Sequence, residues 1–280
     1  MRSFDDAVAS GQDLAGELPT LVLTVAYNGA PFSGFARQQG LLTVQGELER
    51  ALSTLLRRPA EVVCAGRTDA GVHALGQVVS LPVTLEERAL LEARNPARLL
   101  RSLGALTAPG VSVRAARFER PGFSARFDAV SREYRYRIVT GPAEPVFLRD
   151  FSWWLQVPAL DVSAMREASR CLIGERDFKS FCLARSAEGK PTHRYLECVD
   201  IGPEVVMGEE CLTVRIVGNA FLHNMVRTIV GSLVEVGCGH RDPAWMSQVL
   251  AARDRTAAGQ TAPAQGLVFW KVNYTGVRRH

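Results

Sequence analysis

The stretch Cys64-Ala65-Gly66-Arg67-Thr68-Asp69-Ala70-Gly71-Val72-His73 separates two short apolar runs, residues 61–65 and 77–83. Both runs have strand composition, and the glycines at 66 and 71 make the segment between them a tight loop carrying one carboxylate. Outward from this strand–loop–strand unit, residues 21–27 alternate as a strand, and residues 28–40 form a loop rich in turn residues. Residues 43–58 place Val44, Leu48, Leu52 and Leu55 on one helical side, and Pro59 stops the helix. Thr84 and Glu87 have the spacing of a capping box, so a helix starts there, and Pro96 breaks or restarts it. Residues 111–118 and 133–140 are further strands.

After residues 141–145 the pattern begins again. Strands are expected at 152–157, 194–201, 211–217 and 267–274. Asp161 caps a helix that runs to about Ile173, and a helix over 219–236 carries Leu222, Val226, Ile229, Leu233 and Val236 on its apolar face. A last helix spans 243–252. The two halves have similar mixes of strands and helices. The pattern predicts an α+β protein with two similar sheet-bearing domains and a central cleft. The divisions expected are an N-terminal extension at 1–19, an N-terminal domain with the Asp69 loop at 20–118, a central strand region at 119–145 and a C-terminal domain at 146–280.

A chain of 280 residues suits one large domain or two ordinary ones. The 47% hydrophobic and 22% charged fractions are those of a soluble globular protein. No apolar run approaches the roughly 18 to 20 residues of a membrane span. Residues 1–19 lack the order of a signal peptide and carry Asp5, Asp6, Asp13 and Glu17 against Arg2. A cytoplasmic location follows as the expectation. The six cysteines, at 64, 171, 182, 198, 211 and 238, form no C-x-x-C pair and read as reduced thiols.

Only three of the 33 basic side chains are lysines. A GC-rich genome would give that bias. Arginines 114, 117, 120, 126, 132, 135 and 137 nevertheless stand against only three acids in their window, at 119, 128 and 133. That band is either a place for phosphates or a solvated strand face.

The candidate reactive groups each carry two readings. Asp69 is a reactive carboxylate or the centre of an Asx-turn. His73, four residues on, would make a D-x-x-x-H metal pair, but no third ligand accompanies it, so no metal is expected. Arg132, Tyr134, Tyr136 and Ile138 share one strand face, where an aromatic stacks on a base or is a half-buried sheet residue. His223 and Arg227 lie four apart on the expected 219–236 helix, off its apolar stripe; a buried arginine there needs a partner, of which Asp69 is one candidate among several. Neither a phosphate-binding Gly-rich loop nor a hydrolase Gly-x-Ser-x-Gly elbow is present.

The order of several blocks adds a resemblance. Residues 65–74, AGRTDAGVHA, closely resemble the signature of the TruA family of tRNA pseudouridine synthases. Tyr27-Asn28-Gly29, Gly34, Arg37-Gln38 and Thr43-Val44-Gln45-Gly46 are similar to its N-terminal segments. Phe123-Ser124-Ala125-Arg126-Phe127 and Arg132-Glu133-Tyr134-Arg135-Tyr136 resemble its central ones. Residues 174–181 and Asn219-Ala220-Phe221-Leu222-His223-Asn224-Met225-Val226-Arg227 resemble its C-terminal half. Phe35, Gly104 and Ser124 depart from the Trp, Asn and His common at those places.

The resemblance implies ferredoxin-like halves with mixed or antiparallel sheets. It implies isomerisation of uridine to pseudouridine at positions 38 to 40 of tRNA, without cofactor or metal, by a homodimer that holds the tRNA across both subunits. It makes Asp69 the catalytic aspartate, acting at C1′ as a nucleophile or through a glycal. Tyr134 then lies against the target base, Arg227 pairs with Asp69, Arg67 helps to displace the base and Leu267 packs near it. His73, Arg126 and Arg132 are further expected substrate contacts. A synthase of the same family with another RNA target, a non-catalytic RNA-binding protein and a metal-dependent hydrolase are the alternatives.

Overall fold

Alternating apolar residues build a first antiparallel sheet in the computed structural model, which describes residues 18–183 and 188–277. The chain folds as two compact units. The first takes residues up to 68 and 74–129; the second takes 69–73 and everything from 130 onward. The loop expected within the 20–118 domain thus belongs, from Asp69 to His73, to the C-terminal unit. The extension expected over 1–19 lies, up to residue 17, outside the described residues.

In the first unit β1 (Thr20–Tyr27) is flanked by β3 (His73–Pro82) and β4 (Val111–Glu119), and β2 (Val63–Cys64) adds to β3, all antiparallel. β3 is longer than the expected 77–83, so His73 opens a strand. Helix α1 (Val44–Leu56) starts where Thr43 accepts the Gly46 amide, and it buries Val44, Leu48, Ala51 and Leu52. α2 (Leu85–Glu92) has the full capping box of Thr84 and Glu87. α3 (Pro96–Leu106) opens with Asn95 as its cap and proline in its first turn, where a missing N–H costs nothing. Leu99 and Leu103 bury its inner face.

The second unit centres on β5 (Ser131–Thr140). β10 (Leu267–Asn273) and β9 (Glu209–Gly218) pair with it antiparallel, and β6 (Trp153–Leu155) pairs with it parallel, so this sheet is mixed. β8 (His193–Val206) and β7 (Gly174–Asp177) continue beyond β9. Helices α4 (Val162–Ser169), α5 (Met225–Gly237) and α6 (Trp245–Ala252) complete the unit. The helix expected from Asp161 to Ile173 ends at Ser169 and tightens into a 3₁₀ turn over Arg170–Leu172.

The larger correction concerns α5. The helix expected over 219–236 starts only at Met225. β9 runs to Gly218, and Asn219 then binds Tyr195 twice, donating its amide to the carbonyl and accepting the Tyr195 amide on Oδ1. Asn224 stands at φ 64°, in the left-handed region. His223 therefore precedes the helix.

The basic band is partly paired with acids. Along β5 the side chains alternate, and Glu133, Arg135 and Arg137 share a face. Arg135 and Arg215 both meet Glu133 Oε1, at 2.9 and 3.2 Å, and Arg137 meets Glu204 at 3.1 Å. The Arg135 guanidinium also lies over Trp270 at 3.9 Å. In the other unit Arg117 pairs with Glu119 and Arg120 with Asp128. Arginines 117, 120, 135 and 137 thus have acidic partners, of which Glu204 alone lies outside the 114–137 window. All six cysteines carry free thiols. Among the described residues no helix is long and apolar enough to cross a membrane.

Candidate active site

A tight turn presents Asp69. Its carbonyl accepts the Val72 amide at 3.1 Å, and Gly71 at φ +77° completes the turn. A Cβ on Gly71 would lie 3.2 Å from that of Ala264, so both backbone angle and space call for glycine. Just upstream, in the first unit, Thr68 is fixed by its carbonyl, which accepts the Phe35 amide, and by its hydroxyl, 2.7 Å from the Tyr27 hydroxyl. Gln77 donates to the Gly66 carbonyl at 2.7 Å. Burial raises the Tyr27 phenol well above its usual range, so it stays neutral.

Two cationic or polar groups from the C-terminal half reach the Asp69 carboxylate. Arg227 Nη1 lies 3.6 Å from Oδ2, and His223 Nε2 lies 3.1 Å from Oδ1. The Asp69 side chain is 30% exposed, which leaves it reachable; Arg227 is at 17% and His223 at 45%. Arg227 is itself tied down. Its Nε donates to the Ala262 carbonyl at 2.7 Å and its Nη1 to Asn224 Oδ1 at 3.1 Å. The Ala262 amide donates back to the Arg227 carbonyl.

Residues 258–266 form a strap that these bonds hold in place. Gly259 donates to Ser232 Oγ on α5, and Arg255 donates to the Gly259 carbonyl and to Thr261. The Tyr136 hydroxyl, on β5, donates to the Pro263 carbonyl at 2.7 Å, and burial keeps that phenol protonated.

Tyr134 is 7% exposed. Its ring is held edge-on by Phe221 at 5.0 Å and Phe269 at 4.9 Å, an arrangement that fixes it firmly. Leu267 is buried at the start of β10, opposite Tyr136. Arg67 and Arg126 belong to the first unit and are exposed, with Arg126 over the Phe127 ring.

Two of the expected substrate contacts are buried. His73 is 2% exposed, against Phe151 at 4.6 Å between ring centres, and desolvation holds its imidazole below the ordinary value of 6.5. Arg132 is 8% exposed and donates to the Asn219 carbonyl at 2.6 Å. No group of three or more His, Cys, Asp or Glu among the described residues is arranged to hold a metal ion.

The residues alone left the partner of Arg227 open among several acids, Asp69 one of them, and did not point to Asn224, Ala262 or the hydroxyl of Tyr136. Only Asn224 carried a signal: asparagine is enriched at positive φ.

Comparison with known proteins gives a concordant set of matches. A family model described as tRNA pseudouridine synthase matches residues 168–275. The tRNA pseudouridine synthase A of Brevibacillus brevis is 42% identical over 258 residues, 89% of this chain and 97% of that protein. That of Cronobacter sakazakii is 39% identical over 254 residues, 91% of this chain and 89% of that protein. Among solved structures, a chain of the archaeal box H/ACA sRNP Nop10-Cbf5 complex matches with a TM-score of 0.35 at 12% identity, covering 81% of this chain and 46% of that one. So distant a likeness adds nothing to the sequence matches.

Proposed function

Since this chain belongs to the tRNA pseudouridine synthase A family, we propose that it isomerises uridine to pseudouridine in tRNA, with Asp69 as the group that acts at C1′. The observation that carries the reading is the Asp69 carboxylate, partly exposed and flanked by His223 and Arg227. The target uridines are those of the anticodon stem-loop, positions 38 to 40, and the working enzyme is a cytoplasmic homodimer.

Substrate and product contain the same atoms, so the reaction needs neither water nor a redox partner. The N1–C1′ bond breaks and its electron pair leaves with uracil. Asp69 either bonds to C1′ as a nucleophile or takes the 2′ proton to leave a glycal. The uracil turns, C5 bonds to C1′, Asp69 is released in the first route or returns the proton in the second, and the C5 proton is lost as N1 gains one. Both routes use one carboxylate that is held still but not enclosed, as Asp69 is.

Flipping the uridine out of the stem costs on the order of a few kcal/mol. Tyr134 is a rigid surface for the extruded base because two aromatic edges immobilise it, and base–aromatic stacking returns roughly 1–3 kcal/mol. Leu267 adds apolar contact. Exposed Arg67 helps to displace the base, and exposed Arg126 meets phosphate. We assign buried His73 and Arg132 to holding the Asp69 loop and the turn before α5.

The test uses tRNA lacking the modification. Pseudouridine is mapped by carbodiimide labelling and primer extension for the wild type and Asp69→Asn. We expect product at anticodon-stem uridines from the wild type, none from the variant, and tRNA binding by the variant within about twofold. Equal activity in the variant overturns the assignment. A requirement for a divalent metal revives a hydrolytic reading.

A further inference from the structure

The ion pair with Arg227 leaves one oxygen of Asp69 to another group. His223 Nε2 lies 3.1 Å from Oδ1, a hydrogen-bond distance, while Arg227 addresses Oδ2. Each oxygen thus has its own partner. The local backbone is shaped to allow it. His223 sits outside α5, its carbonyl accepts the Leu183 amide at 3.2 Å, and the next residue, Asn224, is left-handed. That conformation is rare outside glycine and mildly unfavourable. It turns the chain so that residues 223 and 227, on either side of the helix start, both reach one carboxylate.

We propose that His223 is a positioning residue for the isomerisation. Through an Nε2 proton donated to Oδ1 it fixes the rotation of the Asp69 carboxylate, so that a defined lone pair faces C1′ or the 2′ proton. Arg227 alone cannot do this. Its contact is the longer one, and a single contact to one oxygen leaves the carboxylate free to turn about its terminal bond, which is a soft torsion. Two contacts, one on each oxygen, define the plane. Nε2 can donate in the neutral imidazole as well as in the imidazolium, so the role does not require a charged ring. Nδ1 remains for solvent or substrate, since the side chain is nearly half exposed.

The inference rests on the proposed role of Asp69, and the experiment separates the two. kcat and KM for unmodified tRNA are measured for the wild type, His223→Ala, His223→Gln and Asp69→Asn, with thermal melting of each. We expect His223→Ala to lose about 10- to 100-fold in kcat, the scale of a hydrogen bond to a charged group. KM should stay within about twofold and melting should be unchanged. Gln places an amide N–H donor near the position of Nε2, so His223→Gln should recover most of the lost kcat, which a purely structural role would not produce. Wild-type kcat in His223→Ala, a loss confined to KM, or no recovery by Gln each overturns the inference. If Asp69→Asn is inactive while His223→Ala is not, only the role of His223 fails. If Asp69→Asn keeps full activity, both readings fail.

Discussion

Replacing Gly231 by alanine should damage the active site from one turn along the helix that carries Arg227. Gly231 lies in α5, one turn beyond Arg227. A Cβ there would stand 1.8 Å from the Gln260 carbonyl oxygen and 2.9 Å from its carbon. An ordinary carbon–oxygen approach is about 3.3 Å or more, so helix and strap must separate by roughly 1.5 Å. The strap has no slack. On one side of Gln260, Gly259 donates to Ser232 at 3.0 Å; on the other, Ala262 donates to the Arg227 carbonyl at 3.1 Å.

Two such bonds contribute about 1 kcal/mol each, and overpacking a close-packed site costs about 1–3 kcal/mol. Alanine returns about 1 kcal/mol in helix propensity. The net loss is about 2–4 kcal/mol, or a melting point lower by about 3–7 °C at this chain length. The Ala262 carbonyl that holds Arg227 Nε moves with the strap. A misplacement of about 1 Å in a positioning group costs about 100-fold, so kcat should fall by that order, read at a temperature where circular dichroism shows the variant folded. Wild-type melting refutes the close approach. Lowered melting with wild-type kcat refutes the coupling of strap to Arg227.

Gly104→Ala should act in the opposite direction: nothing lies within 4 Å of the added Cβ in α3, so the variant should gain about 0.5–1 kcal/mol in a denaturant titration, and a loss would count against the open helix face. His73 gives a pH dependence. Its folded value is depressed by burial, so below 6.5 the unfolded chain takes up a proton that the folded one refuses; melting should fall between pH 7.5 and 5.5, and His73→Gln, though less stable throughout, should show a flatter fall.

The sequence is most legible where the cause of structure is local. Val44, Leu48 and Leu52 with Thr43 before them define α1 within one residue at its start, and Thr84 with Glu87 gives the capping box of α2 outright. Boundaries set by distant partners are not readable in this way. α5 begins late because Asn219 is claimed by Tyr195, 24 residues earlier, and because Asn224 leaves helical space. The arginines of β5 read as an open basic band, yet Glu204 and Asp200, more than 60 residues on, take part in neutralising that face. The same holds at the site. The strap that fixes Arg227 is a run of small and polar residues with no pattern of its own, and its meaning lies wholly in what it touches.

That strap bears on why the site tolerates its own reaction. In the proposed reaction, an arginine whose only partner is Asp69 would be stranded when that carboxylate bonds to C1′ or takes the 2′ proton and so loses its charge, and a stranded, mostly buried cation is costly. Arg227 avoids this because two acceptors, the Ala262 carbonyl and Asn224 Oδ1, hold it regardless of Asp69. Its 3.6 Å contact with Oδ2 is therefore an addition to a completed environment. Under the proposed mechanism Arg227 would keep its place as the Asp69 charge disappears and returns, and its own surroundings would not need to reorganise at either step. The same independence is why Asp69→Asn should abolish the chemistry while leaving the fold and the grip on tRNA intact: Arg227 holds its position without the carboxylate.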